Sequence, residues 1–119
     1  MTDTKKTVEQ LIHEEKYEEA HSILMSLFHE KNDDAEVYYM LGTYFNAVGD
    51  ISNAVRSFKK SSELKPNDSE YFLALGMAYE VFDEPKLAVD AYFKVIELNH
   101  ETALAMQRLE VLKRKVKQV

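Results

Sequence analysis

The sequence predicts an all-α chain folded as a solenoid of antiparallel helix pairs, and three observations predict it. AEVYYMLGTYFNAVGDISNAVRSFKKSSELKPND from Ala35 and SEYFLALGMAYEVFDEPKLAVDAYFKVIELNHET from Ser69 align without a gap, with Tyr38/Phe72, Leu41/Leu75, Gly42/Gly76, Phe45/Tyr79, Ala54/Ala88, Phe58/Tyr92 and Leu64/Leu98 matching in type. Inside each segment the apolar residues recur at helical spacing. Turn residues interrupt both segments at corresponding places, so each is read as two helices rather than one.

The elements follow in chain order. Residues 1–34 make a degenerate first repeat: Ala20, Leu24, Leu27 and the YEEA stretch from Tyr17 fit the second half, but Thr4, Thr7, Val8 and Leu11 stand where aromatic, Leu, Gly and aromatic are expected. A short or frayed opening helix is predicted, suited to a terminal repeat with a polar outer face. In residues 35–68, Tyr38, Leu41, Gly42 and Phe45 form one stripe, and Ala54, Phe58 and Ser61 the matching stripe on the next helix. Gly49 suits a left-handed helix end, Asp50 a cap or first turn, and Pro66 a stop, because the residue before a proline resists the helical region. In residues 69–102, Pro85 is placed at the first turn of the second helix, with Asp83 and Glu84 before it as capping acids. Asp83 there replaces the turn glycine and His100 the proline. Residues 103–119 read as one closing helix over the last apolar face, so the chain is a single domain of 1–119.

The order aromatic, x2, Leu-Gly, x2, aromatic, then Ala, x3, aromatic, then Pro resembles the tetratricopeptide repeat, whose period of roughly 34 residues equals the offset between the two segments. Tyr38, Leu41, Gly42, Phe45, Ala54, Phe58 and Pro66 carry it in the central repeat. The resemblance implies a right-handed superhelical solenoid and a non-enzymatic role in protein–protein interaction, with a peptide held on the concave side by the first helix of each pair. Gly42 and Gly76 cost about 1 kcal/mol each relative to Ala in a helix interior. Close approach of the facing helix, with Ala54 or Ala88 as the small partner, is the expected compensation.

Positions 2, 5, 9, 12 and 13 of each repeat share a stripe about 100° round from the packing stripe. They give Glu36, Tyr39, Thr43, Asn46 and Ala47, then Glu70, Leu73, Met77, Glu80 and Val81, with Gln107 and Val111 from the closing helix. Family members that grip an EEVD tail need Lys and Asn at positions 5 and 9; here those positions hold Lys5 and Glu9, Tyr39 and Thr43, Leu73 and Met77, so the clamp is missing. The expected floor is apolar (Tyr39, Leu73, Met77, Val81) with acidic flanks (Glu36, Glu70, Glu80), suited to a peptide with apolar anchors and basic residues beside them. The same side chains could instead pack on one another and close the groove. A secretion-type chaperone for an unfolded client is the narrower alternative, since EKYEEAHSIL from Glu15 is similar to the first hairpin of such proteins.

The closing helix offers a further partner, a second copy of the chain. Ala105, Leu109, Leu112, Val116 and Val119 follow a heptad-like spacing; the first half should cap the solenoid, while Leu112 to Val119 could overhang, making Leu109, Leu112 and Val116 the candidates for self-association. Lys113, Arg114, Lys115 and Lys117 crowd the other face, for an acidic surface or simply for solvent and the helix dipole.

Composition excludes several classes. The 119 residues carry a net charge of -6 and no cysteine, which removes disulfides, thiolate nucleophiles and Cys-ligated zinc. From Arg108 onward five basic residues face the single acid Glu110, a surplus of four, which leaves a net charge of -10 on residues 1–107. Such a body repels a phosphate backbone, so no nucleic-acid partner is expected. The longest uncharged run, Val37 to Gly49, is too short and too polar for a membrane span, and no leader pattern precedes it; a cytoplasmic protein is expected. His13, His21 and His29 recur at even spacing across an expected turn and match no ligand motif, so neither metal nor cofactor is expected, and no motif of nucleophile, base and acid points to catalysis.

Overall fold

The computed structural model describes residues 4–99 and 102–117, which contain seven helices: α1 (Thr4–His13), α2 (Tyr17–Glu30), α3 (Ala35–Ala47), α4 (Ile51–Leu64), α5 (Ser69–Val81), α6 (Pro85–Leu98) and α7 (Ala103–Lys117). No strand occurs among the described residues. Each helix packs mainly on its neighbours in sequence, α3 on α4 and α5 on α6 most extensively, giving an elongated stack of helical pairs. The readings placed on His100 and Val119 fall outside the described residues.

The three turns within the pairs share one construction. Glu15, Gly49 and Asp83, which occupy the same position in successive repeats, have φ of 59°, 85° and 60°. The following amide in each case bonds a carbonyl from the last turn of the preceding helix: Lys16 to Leu11 at 2.8 Å, Asp50 to Phe45 at 2.8 Å and Glu84 to Tyr79 at 2.9 Å. This is the Schellman helix end, which needs a left-handed residue. Only Gly49 supplies it without a Cβ penalty.

The helix starts differ in how they are capped. The amide of Glu36 donates to the Asp34 carboxylate at 2.8 Å, that of Glu70 to Asp68 at 3.0 Å, and that of Asn53 to Asp50 at 3.3 Å, satisfying donors that a helix start leaves free. Pro85 stands at the first position of α6 as expected, but Glu84 makes no side-chain capping bond there. That expectation is corrected: Glu84 occupies the cap position through its backbone only, and proline leaves the first turn one donor fewer to satisfy.

Two apolar clusters form the core. Val8, Leu24, Val37, Met40 and Leu41 build the first; Ala54, Phe58, Leu75, Tyr92, Val95, Ala105 and Leu112 belong to the second, and Phe45 packs on both. The glycines permit close approach, but the contact is more specific than an Ala54 pairing. A Cβ on Gly42 would lie 2.5 Å from Phe58 Cε1, and one on Gly76 would lie 2.8 Å from Tyr92 Cε1. In the first repeat Val8 takes the glycine position and is itself fully buried, and α1 packs far less extensively on α2.

The closing helix corrects a second expectation. Leu112 is only 1% exposed and sits in the second cluster with Ala105, while Leu109 packs against it. Position 112 therefore belongs to the capping face instead of an overhang. Heptad-like spacing gives the face of a helix but not how far its neighbour, here α6, extends beneath it.

Candidate functional site

The first helices of the pairs, α3, α5 and α7, present the candidate stripe, and the structure divides it in two. Asn46, Met77, Glu80 and Val81 come together in an open cleft of about 460 Å³, joined by Phe58, Ala74, Ala78 and Arg108. Met77 is 47% exposed and Val81 64%. Val111 and Leu104 of α7 are also exposed, and helix periodicity puts them on the face that carries Gln107.

The other half of the stripe is closed. Tyr39 is partly buried, its ring centroid 5.7 Å from that of Phe58 and 5.1 Å from that of Tyr71. Lys5 of α1 lies over the Tyr39 ring, 5.1 Å from its centroid, and reaches Glu70 at 3.8 Å. Burial, reinforced by the charge of Glu70, pushes the Tyr39 phenol up to about 12. Leu73 packs on the core as well. Thr43 donates its hydroxyl to the Tyr39 carbonyl at 3.1 Å, an intrahelical bond that turns its polarity inward. Tyr39 and Leu73 are therefore partly buried against the core, and the open apolar floor reduces to Met77 and Val81 with Ala74.

The acidic flanks are also altered. Glu36 is exposed, but Glu80 is held by three hydrogen bonds: Arg108 Nε donates to its Oε2 at 2.9 Å, Arg108 Nη2 donates to Oε1, and the Tyr92 hydroxyl donates to Oε2 at 2.6 Å. The Arg108 hydrogen bonds hold the Glu80 carboxyl below the usual range, against the opposing effect of burial. Burial first and Glu80 second push the Tyr92 phenol up. Glu80 thus arrives in the cleft already neutralised, and with Glu70 near Lys5 the floor lacks the acidic rim expected for a basic partner.

Arg108 escaped the sequence reading, although a trace of it is present. It occupies the position that Met40 and Ala74, both uncharged, hold in the two preceding repeats. Lys6 of the first repeat shares that position, so a charge there is not unique, and nothing in the sequence points to Glu80, which lies in the preceding repeat on α5. Of the self-association candidates, Leu112 is buried in the chain's own core and Leu109 packs on it, while Val116 borders a separate depression with Lys86, Val89, Asp90 and Lys113. Among the described residues no three His, Asp or Glu side chains are placed to hold a metal ion, and no helix is long and apolar enough to cross a membrane.

The family model of the tetratricopeptide repeat matches residues 35–68. Anaphase-promoting complex subunit 3 of Schizosaccharomyces pombe is 31% identical over 68 residues, 57% of this chain and 10% of that protein, so the chain spans about a tenth of the length of this relative. Three solved structures share the fold along nearly all of the chain. The Yersinia enterocolitica type III secretion chaperone SycD, in complex with a peptide of the translocator YopD, gives a TM-score of 0.82 at 18% identity, covering 94% of this chain and 91% of that one. The first tetratricopeptide-repeat domain of Spaghetti (RPAP3), bound to the HSP90 peptide SRMEEVD, gives 0.87 at 14% identity, with 96% and 90% covered. The Sgt2 domain of Aspergillus fumigatus gives 0.85 at 20% identity, with 97% and 78% covered.

Proposed function

We propose that this tetratricopeptide-repeat chain is a non-enzymatic adaptor that holds a segment of a partner protein in the cleft between α5 and α7. The observation that carries the reading is the exposure of Met77 and Val81 at the cleft while Tyr39 and Leu73, on the same stripe, are packed away. Exposed apolar side chains at the bottom of a recess favour burial against a partner, and each well-covered one contributes about 1.5–3 kcal/mol.

The peptides named for SycD and Spaghetti lend the reading its general form, and the residues here refine it. Of positions 5 and 9 only Lys5 is basic and none carries an amide, and Lys5 is engaged with Tyr39 and Glu70. An internal segment with apolar anchors fits this floor better than a chain terminus. The secretion-chaperone reading stands second, favoured by the likeness to SycD over nearly the whole of both chains.

The test compares tagged wild type with a Met77→Glu, Val81→Glu double variant, both verified as helical by circular dichroism, in affinity capture from native extract. The proposal expects a polypeptide retained by wild type and lost from the folded variant. Retention by both would place binding elsewhere.

A further inference from the structure

The polar wall of the cleft is a guanidinium with donors to spare. Arg108 gives Nε and one N–H of Nη2 to Glu80, a side-on grip along one edge of the group. A guanidinium carries five N–H donors in a fixed planar fork, so three remain on its outer end. The side chain is 36% exposed and borders the cleft beside Met77 and Val81. Glu80, only 16% exposed, is itself held by the Tyr92 hydroxyl from α6, so the plane of the fork is fixed before any ligand arrives.

We propose that Arg108 determines the specificity of the cleft: its outer N–H edge receives the carboxylate of an Asp or Glu that stands beside an apolar residue of the bound segment. This rests on the reading of the cleft as the binding site and adds the chemistry of its occupant. A wholly apolar segment would cover Arg108 and leave its outer donors without the water they bond in the free protein, a loss that a buried polar group does not recover. A carboxylate fits that edge with paired, charge-assisted bonds, which a neutral carbonyl cannot match.

The local charge admits the same acceptor, although the body as a whole is acidic. Around the α7 end, Arg108 pairs with Glu80 and Lys115 lies 3.7 Å from Asp83, so these four charges cancel. At the α1 end Lys5 stands with Glu9, Glu36 and Glu70, two negative in excess. The acidic surplus of the groove therefore lies away from its apolar floor. Non-specific attraction of this chain would select basic peptides; selection of acidic ones requires a specific site.

The experiment uses a phage-displayed library of random peptides of about 12 residues, selected on wild type, with single synthetic peptides then measured by fluorescence anisotropy on wild type, Arg108→Gln, and Met77→Glu with Val81→Glu. Selected sequences should carry Asp or Glu adjacent to Leu, Met or Phe. Replacing that acid by Gln or Asn in the peptide should weaken binding to wild type about tenfold and to Arg108→Gln less than about twofold, a coupling that survives any general loosening of the variant because it compares two peptides on one protein. Peptides without acids, or equal losses on both proteins, overturn the role of Arg108 while leaving the cleft reading intact if the Met77, Val81 variant still loses them. Peptides that bind the Met77, Val81 variant unchanged overturn the cleft reading, and with it the inference; a library that yields no binder overturns both.

Discussion

The ring of Phe58 occupies the space that a side chain at position 42 would need: a Cβ on Gly42 would lie 2.5 Å from its Cε1 and 2.6 Å from its Cδ1. Tyr92 stands over Gly76 in the same way, at the equivalent position of the next repeat. The glycine and the aromatic of each repeat are thus one unit, a gap in one helix and the ring that fills it from the next. The cost of glycine in a helix interior is offset by the burial of that ring, for Phe58 is 5% exposed and Tyr92 fully buried.

Gly42→Ala should therefore destabilise the chain even though alanine is the better helix former by about 1 kcal/mol. Phe58 is 5% exposed with its ring packed on Tyr39, so overpacking should outweigh the propensity gain and leave a net loss of about 1–3 kcal/mol in urea denaturation. Combining Gly42→Ala with Phe58→Leu should cost less than the sum of the two single changes. Strict additivity would refute the pairing.

The turns invite changes of the opposite sign. Glu15 and Asp83 hold φ near 60° with side chains that resist it, whereas Gly49 fills the equivalent place at 85°. Glu15→Gly should raise stability by about 0.5–1 kcal/mol, since the left-handed conformation costs a residue with a Cβ about 1–2 kcal/mol and the flexibility of glycine in the unfolded chain returns part of the gain. Asp83→Gly should gain less, because aspartate tolerates this region better and its exposed pairing with Lys115 is lost. Thermal denaturation of the two variants side by side would show the order, and a loss in both would contradict it.

These turns also show which parts of the structure were legible. The repeat offset located the turns at Gly49 and Asp83, because Schellman ends recur with the period even where Asp83 replaces glycine; the same construction at Glu15 emerged only from the structure. Gly42 announced a close approach with Ala54 as the expected small partner, but the ring that fills the gap is that of Phe58, one helical turn along the same stripe. Tyr39 and Met77 both fell on the candidate stripe, yet one is wedged between rings under Lys5 and the other faces the cleft. Periodicity assigns a side chain to a face of its helix; whether that face is covered depends on how α1 crosses it, and α1 lies in the degenerate repeat. Leu112 and Arg108 were misread or missed for the related reason that both depend on contacts with α5 and α6, far away in sequence.

The Glu80 and Arg108 pair predicts a dependence on pH. Its folded carboxyl is held below the usual glutamate value, so the folded state resists protonation more than the unfolded chain does. The contribution is then complete above about pH 4.3, the unfolded value, and disappears as pH falls through the lower folded value. Glu80→Gln should lower the melting temperature at pH 7, and the difference from wild type should shrink progressively below about pH 4.3. A constant difference across that window would mean that the carboxylate charge contributes nothing.

The division of the concave stripe yields the last prediction, a contrast between two charged substitutions. Tyr39→Glu would place a carboxylate among Phe58, Tyr71 and the core, losing two ring contacts and burying a charge beside Glu70. Lys5 lies close enough to compensate only in part, so a loss of about 3 kcal/mol or more is expected, with the helical signal falling at ordinary temperature. Met77→Glu changes a side chain that is 47% exposed at the cleft, and its stability should stay within about 1 kcal/mol of wild type. Circular dichroism through a urea gradient distinguishes the two directly. If Tyr39→Glu remained as stable as Met77→Glu, the closed half of the stripe would be open in solution, and the groove would run the full length of the concave face instead of ending at Ala74.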